Sequence, residues 1–188
     1  VIVKSANSIW IDDDFSVRNR YVDLLQKDYD ALVTTLRFSD PATVKAINNW
    51  CSENTEGKIK EIIKELTPGD VMVLLNALYF NAPWEDEFDP SQTVKSDFNG
   101  VSGKTKVDMM GRKGRYNYVE FQGCQIIELP YKSSTYSMFV VLPPVGMDID
   151  ALLPYVSESL YAQALGMLSP VEVRFKMPKV KLETEMLL

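Results

Sequence analysis

The residue types that do chemistry in proteins are sparse in this chain. None of its 188 residues is histidine. Within these residues that excludes a Ser-His or Cys-His nucleophile, a His-ligated metal centre and any imidazole acid or base. Gly103-Lys104-Thr105 has the ending of a phosphate-binding loop. Such a loop needs another glycine five positions earlier, so that backbone amides wrap the phosphates, and that position is Phe98. A surface turn is the better reading. Asp12-Asp13-Asp14 could suggest calcium, but an EF-hand loop needs glycine at its sixth position, which here is Val17. A solvated acidic turn is expected there, and solvated surface at Glu85, Asp86 and Glu87. No Ser-x-x-Lys pair occurs. Cys51 and Cys124 are too few for a disulfide framework and too far apart for a CxxC site, so two buried thiols are preferred over a disulfide. These residues predict no enzyme, no cofactor and no metal.

One polar residue is more informative. Asn76 interrupts an apolar stretch over residues 71–80 that is hydrophobic at both alternating sets of positions. That pattern predicts a central strand covered on both faces, with Asn76 buried. An unpartnered amide there would cost on the order of 1–3 kcal/mol. It therefore reads either as a satisfied structural amide that fixes register or as a latch on strand movement, and periodicity alone favours the first.

The elements that must position such a residue follow from pattern. Ile9 and Ile11 alternate across Trp10 as in a strand; residues 15–29 carry helical spacing at Val22, Leu25 and Tyr29; residues 32–38 are β-branched. Ser39-Asp40-Pro41 is a helix start, with Val44, Ile47 and Cys51 as its apolar stripe and Gly57 as its end. Ile59, Ile62, Ile63 and Leu66 form a second short amphipathic segment. Residues 93–98 and 104–110 flank Asn99-Gly100 as a strand pair. Strands are also predicted over 118–121, 125–129 and 136–142, then helix over 149–168 split at Pro154, then a strand over 171–177 with one wet face. Strands outnumber helices without a βαβ rhythm, which predicts an α+β fold with mostly antiparallel sheets and several helices.

Composition narrows the class further. Lys plus Arg is 20 and Asp plus Glu is 26, a net charge of −6 with no basic tract, so nucleic acid is not an expected partner. Apolar residues at 46% make the chain globular. The longest apolar runs are about five residues, far short of the roughly 20 that span a bilayer, and no membrane association is expected. No signal peptide and no Asn-x-Ser/Thr acceptor occurs. The length suits one domain. The apolar ends, Val1-Ile2-Val3 and Met186-Leu187-Leu188, lead us to expect that both cut through secondary structure of a longer protein.

The stretch LLNALYFNAPWEDEFDP, residues 74–90, resembles a signature of the serpins, the serine protease inhibitor superfamily. The resemblance continues in order through KAINNWCSENTEGKIKEII (45–63), VDMM (107–110), IIELPYKSSTYSMFVVLP (126–143) and VEVRFKMPKVKLE (171–183). It implies a single partial serpin domain over 1–188 with no internal boundary, containing parts of sheets A, B and C and helices E to H. By the same match, Asn48 is the helix F asparagine, Asn76 the shutter asparagine on strand 3 of sheet A, and Trp84 the breach tryptophan. None is catalytic; together they would control how sheet A opens. In the family a protease attacks an exposed reactive loop, which then inserts into sheet A and distorts the acylated protease.

Whole serpins are about twice this long. The resemblance implies that the first helices, the hinge and the reactive loop are absent from this chain. The expected partner is a serine or cysteine protease for the full-length protein. For this segment it is the remaining serpin segments, or self-association through open strand edges. A non-inhibitory serpin, a carrier or chaperone, is the alternative. Family habit suggests secretion; the thiols and lack of glycosylation sites fit an intracellular or bacterial protein equally well.

Overall fold

The computed structural model describes residues 1–100, 103–132, 135–152 and 158–184, with backbone only for 158–161. Contacts within the chain divide it into two units, Val1–Ala82 and Pro83–Leu188.

The first unit is built on three strands. β1 (Ile2–Asp12) leads through α1 (Asn19–Tyr29) into β2 (Ala31–Leu36), which lies parallel to β1 from Asn7↔Ala31 to Asp12↔Leu36. This is one βαβ crossover in a chain whose pattern shows no βαβ rhythm: an 11-residue helix suffices to return the chain to the starting edge. α2 (Pro41–Asn54) follows, then β3 (Met72–Asn81), antiparallel to β1 from Ile2↔Asn81 to Ile11↔Met72. The sheet order is β2-β1-β3.

α2 begins where its sequence says it should. The Asp40 carboxylate accepts from the Ala42 amide at 2.8 Å, and Pro41 occupies the first turn. Its far end closes after the Thr55 cap, where Glu56 at a φ of +51° turns the Gly57 amide back to the Ser52 carbonyl at 2.8 Å. The buried stripe is Thr43, Ile47 and Cys51. Ile47 meets Trp10 and Phe38 in the core of this unit, with Trp50, Ile63, Leu66, Val73 and Leu75 packed around them. The Trp10 indole N–H is satisfied by Ser8 Oγ at 2.9 Å.

Two segments differ from what pattern alone suggests. The amphipathic segment over 59–66 does not wind into a helix. It runs as an irregular return from α2, and its amides at 62 and 63 bond to a side chain instead of to their own turn. β3 is also not central. It is the outer strand of the three, with Ala77 and Tyr79 buried and Val73 and Leu75 under α2. Its alternate residues Leu74 and Leu78 are 59% and 66% exposed, and Asn76, on that same side, is exposed rather than buried. Alternation reports that both faces are apolar. Cover comes from other elements, and among the described residues α2 covers one face only.

Among the described residues the strand pairs of the second unit are antiparallel. β4 (Val94–Gly100) and β5 (Gly103–Phe121) form a hairpin, with ion pairs Lys95–Asp108 at 2.8 Å and Lys106–Asp97 at 2.6 Å between the strands. β5 is a single 19-residue strand where the sequence pattern suggested two. Its last residues pair with β6 (Cys124–Pro130) across Gln122-Gly123, both at positive φ, as a two-residue hairpin of the primed type requires. β6 pairs with β7 (Ser137–Leu142), and two helices follow, α3 (Ile149–Leu152) and α4 (Glu158–Met167). The expected split at Pro154 lies outside the described residues.

β8 (Ser169–Pro178) then returns to pair with β5 from Met109↔Pro178 to Tyr118↔Ser169. Val173, Phe175 and Met177 pack on Tyr116, Ile127 and Leu129, whereas Glu172, Arg174 and Lys176 are exposed. The period-two pattern of this strand is therefore a true inside and outside.

Candidate functional site

Asn76 sits midway along β3, directly opposite Asn7 on β1. Its Nδ2 donates to Asn7 Oδ1 at 2.9 Å and, more weakly, to the Ala6 carbonyl at 3.4 Å. Asn7 Nδ2 donates in turn to the Tyr29 carbonyl at the end of α1, at 2.8 Å. The two amides thus form a relay from β3 through β1 to the α1–β2 junction. Asn7 was not among the residues singled out from sequence. The available signal was its place: a second amide in a β-prone run.

Asn48 projects from α2 and clamps the return segment. Its Oδ1 accepts from the amides of Ile62 at 2.8 Å and Ile63 at 3.1 Å, and its Nδ2 donates to the Ile63 carbonyl at 2.8 Å. One side-chain amide therefore supplies bonds that a helix over 59–66 would otherwise have made. Asn48 and Asn76 make no hydrogen bond to each other. α2 lies on the Val73 and Leu75 face, and Asn76 on the other.

Trp84 belongs to the second unit. It pairs across a two-residue bridge with Tyr131, flanked by bonds from the Glu85 amide to the Pro130 carbonyl and from the Lys132 amide to the Pro83 carbonyl, each 2.9 Å. That arrangement is the narrow, non-hydrogen-bonded kind of antiparallel pair, which brings opposing side chains close. The rings stack with centroids 4.6 Å apart and planes 12° from parallel. Asp86 next along the chain binds Arg112 at 2.7 Å, and Phe88 leans on Phe175 at 6.2 Å. A shallow pocket lies between Trp84, Asp86, Phe88, Tyr116, Leu129 and Pro130. Burial pushes the phenols of Tyr131 and Tyr116 up; at Tyr116 the Arg112 guanidinium opposes this and the Asp86 carboxylate adds to it.

The other candidates are occupied by structural work. The carboxylates of Asp12, Asp13 and Asp14 lie within 4.8 Å of one another. Asp12 accepts from the amides of Asp14 and Phe38, and Asp13 binds Arg37 at 3.1 Å. They hold the turn between β1 and the end of β2. Cys51 and Cys124 are buried free thiols, and burial raises the pKa of Cys51 further from the reactive thiolate. Gly103-Lys104-Thr105 opens β5, so no helix follows it to receive a phosphate.

A family model described as serpin (serine protease inhibitor) matches residues 1–188. Mouse serpin A12 is 34% identical to this chain over 95% of it and 44% of the relative. A serpin-like protein of Methanosarcina acetivorans, named as uncharacterised, is also 34% identical, over 97% and 44%. Serine protease inhibitor 42Dd of Drosophila melanogaster is 32% identical over 97% and 49%. The chain spans less than half the length of these relatives. In fold it is similar to reactive-loop-cleaved human thyroxine-binding globulin, with a TM-score of 0.87 over 95% of this chain and 54% of that one, at 24% identity.

Proposed function

The chain belongs to the serpin family, and from that premise we propose that it supplies the sheet-opening scaffold of a protease inhibitor that traps its target by inserting its own cleaved loop as a strand. The observation that carries the reading is the position of β3. Among the described residues it pairs with β1 alone, so a strand supplied by the rest of the protein would join it along its other edge by backbone hydrogen bonding. The Asn7–Asn76 rung ties β3 to β1 on the inner side, which supports entry of a newcomer at the other edge. Asn48 keeps the α2 return segment folded against the same unit. In this reading the chain is not an enzyme; its partner is a serine or cysteine protease, met outside the cell.

The test uses the whole protein carrying these residues. It is mixed with trypsin-, chymotrypsin- and elastase-type serine proteases and a papain-type cysteine protease, then run on a denaturing gel. The expected result is a complex that survives the detergent with one of them. Loop cleavage is also expected to raise the Tm, because the inserted strand completes the sheet. Cleavage without a stable complex and without a rise in Tm overturns the reading. A carrier role is the second reading, since the fold neighbour above is named for binding thyroxine. A rise in Tm without any protease complex favours it.

A further inference from the structure

The wet face of β5 and β8 carries a charge opposite to that of the chain. Across the ladder Lys113 faces Arg174, Gly111 faces Lys176, and Arg115 faces Glu172. Members of a directly opposed pair lie on the same side of a sheet. These rows therefore place four cations and one anion on one exposed surface, in a chain whose net charge is −6. Glu172 is spent on Lys113 at 2.8 Å. Arg115, Arg174 and Lys176 make no ion pair among the described residues. Lys113 opposite Arg174 is a like-charge pair, and Glu172 offsets only its Lys113 side. The opposite face of the same two strands is apolar and packed, through Tyr116, Phe175 and Met177, so the cations are held on a fixed backbone.

We propose that this face is a docking surface for an acidic, extended segment of a partner protein. Its rows lie about 6.7 Å apart along the strands, the spacing at which an extended chain presents every second side chain. Carboxylates at alternating positions of such a segment match Lys176, Arg174 and Arg115 in register. The two arginines take a carboxylate through paired N–H donors, which gives orientation as well as charge. The inference does not depend on loop insertion, since no residue of β3 or α2 takes part.

The test titrates a fluorescein-labelled twelve-residue peptide with glutamate at alternating positions against the full chain, followed by anisotropy. A lysine peptide of the same length and a heparin dodecasaccharide run in parallel. The glutamate peptide is expected to bind, with affinity falling at least tenfold between 20 and 150 mM salt, and the lysine peptide is expected not to. R174S/K176S is expected to lose at least tenfold, while K58S/K60S, which removes the same charge elsewhere, keeps wild-type affinity. As a readout that needs no variant, bound peptide is expected to shield Lys113 and Lys176 from acetylation but not Lys58 or Lys60. Equal losses in the two double variants, or uniform acetylation, overturn the proposal. Binding of the oligosaccharide at this face without the peptide overturns its assignment to a protein partner.

Discussion

Asn7 and Asn76 meet across the β1–β3 ladder, and Asn76 donates to Asn7 while Asn7 donates to the backbone of Tyr29. The middle of the ladder thus carries a side-chain bond in addition to its main-chain bonds. Both residues are solvent-accessible enough that this bond is of ordinary strength. Asn76→Ala and Asn7→Ala are each expected to lower stability by about 0.5–1.5 kcal/mol. The double variant is expected to lose less than the sum, because either single change already breaks the shared bond. Urea midpoints of the four proteins check this; strict additivity would show that the pair does not act as one unit.

Asn48→Ala removes three hydrogen bonds from the α2 return segment at once. A loss of about 1–3 kcal/mol is expected. More telling is where it appears: amide hydrogen exchange at Ile62 and Ile63 accelerates while the centre of α2 stays protected. Asn48→Asp keeps the acceptor and loses the donor, so it is expected to fall between the two. Unchanged exchange at Ile62 would remove the clamp assigned to Asn48.

That clamp also marks where the sequence was readable and where it was not. The start of α2 was legible because Asp40 and Pro41 act within one turn of themselves. Residues 59–66 carry helical spacing, yet their amide partners come from Asn48, more than ten residues earlier, which no local pattern reports. The same holds for β3. Its strand character is local and was legible; its place at the edge, and the exposure of Asn76, depend on which other elements pair with it. Asn48, Asn76 and Trp84 came from motif resemblance. Asn7 came only from register.

Trp84→Ala is expected to cost about 2–4 kcal/mol, combining lost burial with the stack on Tyr131. Trp84→Phe keeps part of the stack and is expected to cost less than half as much. Near-ultraviolet circular dichroism reports loss of the fixed aromatic environment, and a thermal melt reports its energy. A Trp84→Ala protein with an unaltered spectrum would contradict the packing described.

Acid sensitivity has two identifiable contributors. The Asp70 carboxylate is held below its usual range by the Thr67 amide and then its hydroxyl, and Asp89 by the Ser91 hydroxyl, the Ser91 amide and Gln92. A depressed folded-state pKa means that the unfolded chain binds more protons in acid. The stability these groups add is present above the ordinary aspartate value of about 3.9 and is lost as pH falls through the lower folded-state value. D70N/D89N is therefore expected to be less stable than wild type at pH 7 and to lose less on going to pH 3. Urea midpoints across that range test it; parallel curves would contradict it.

The length of β5 sets a timetable for synthesis. One of its edges is completed by β8, which leaves the ribosome after the whole of β6, β7, α3 and α4. At about 5–20 residues per second, the roughly fifty residues between Phe121 and Ser169 take several seconds to emerge. For that interval the nascent chain carries a long, half-paired ribbon with Tyr116 and its apolar neighbours uncovered. A chaperone that shields extended apolar strands would find its longest-lived target there, and a pause in translation shortly before Ser169 would prolong the exposure.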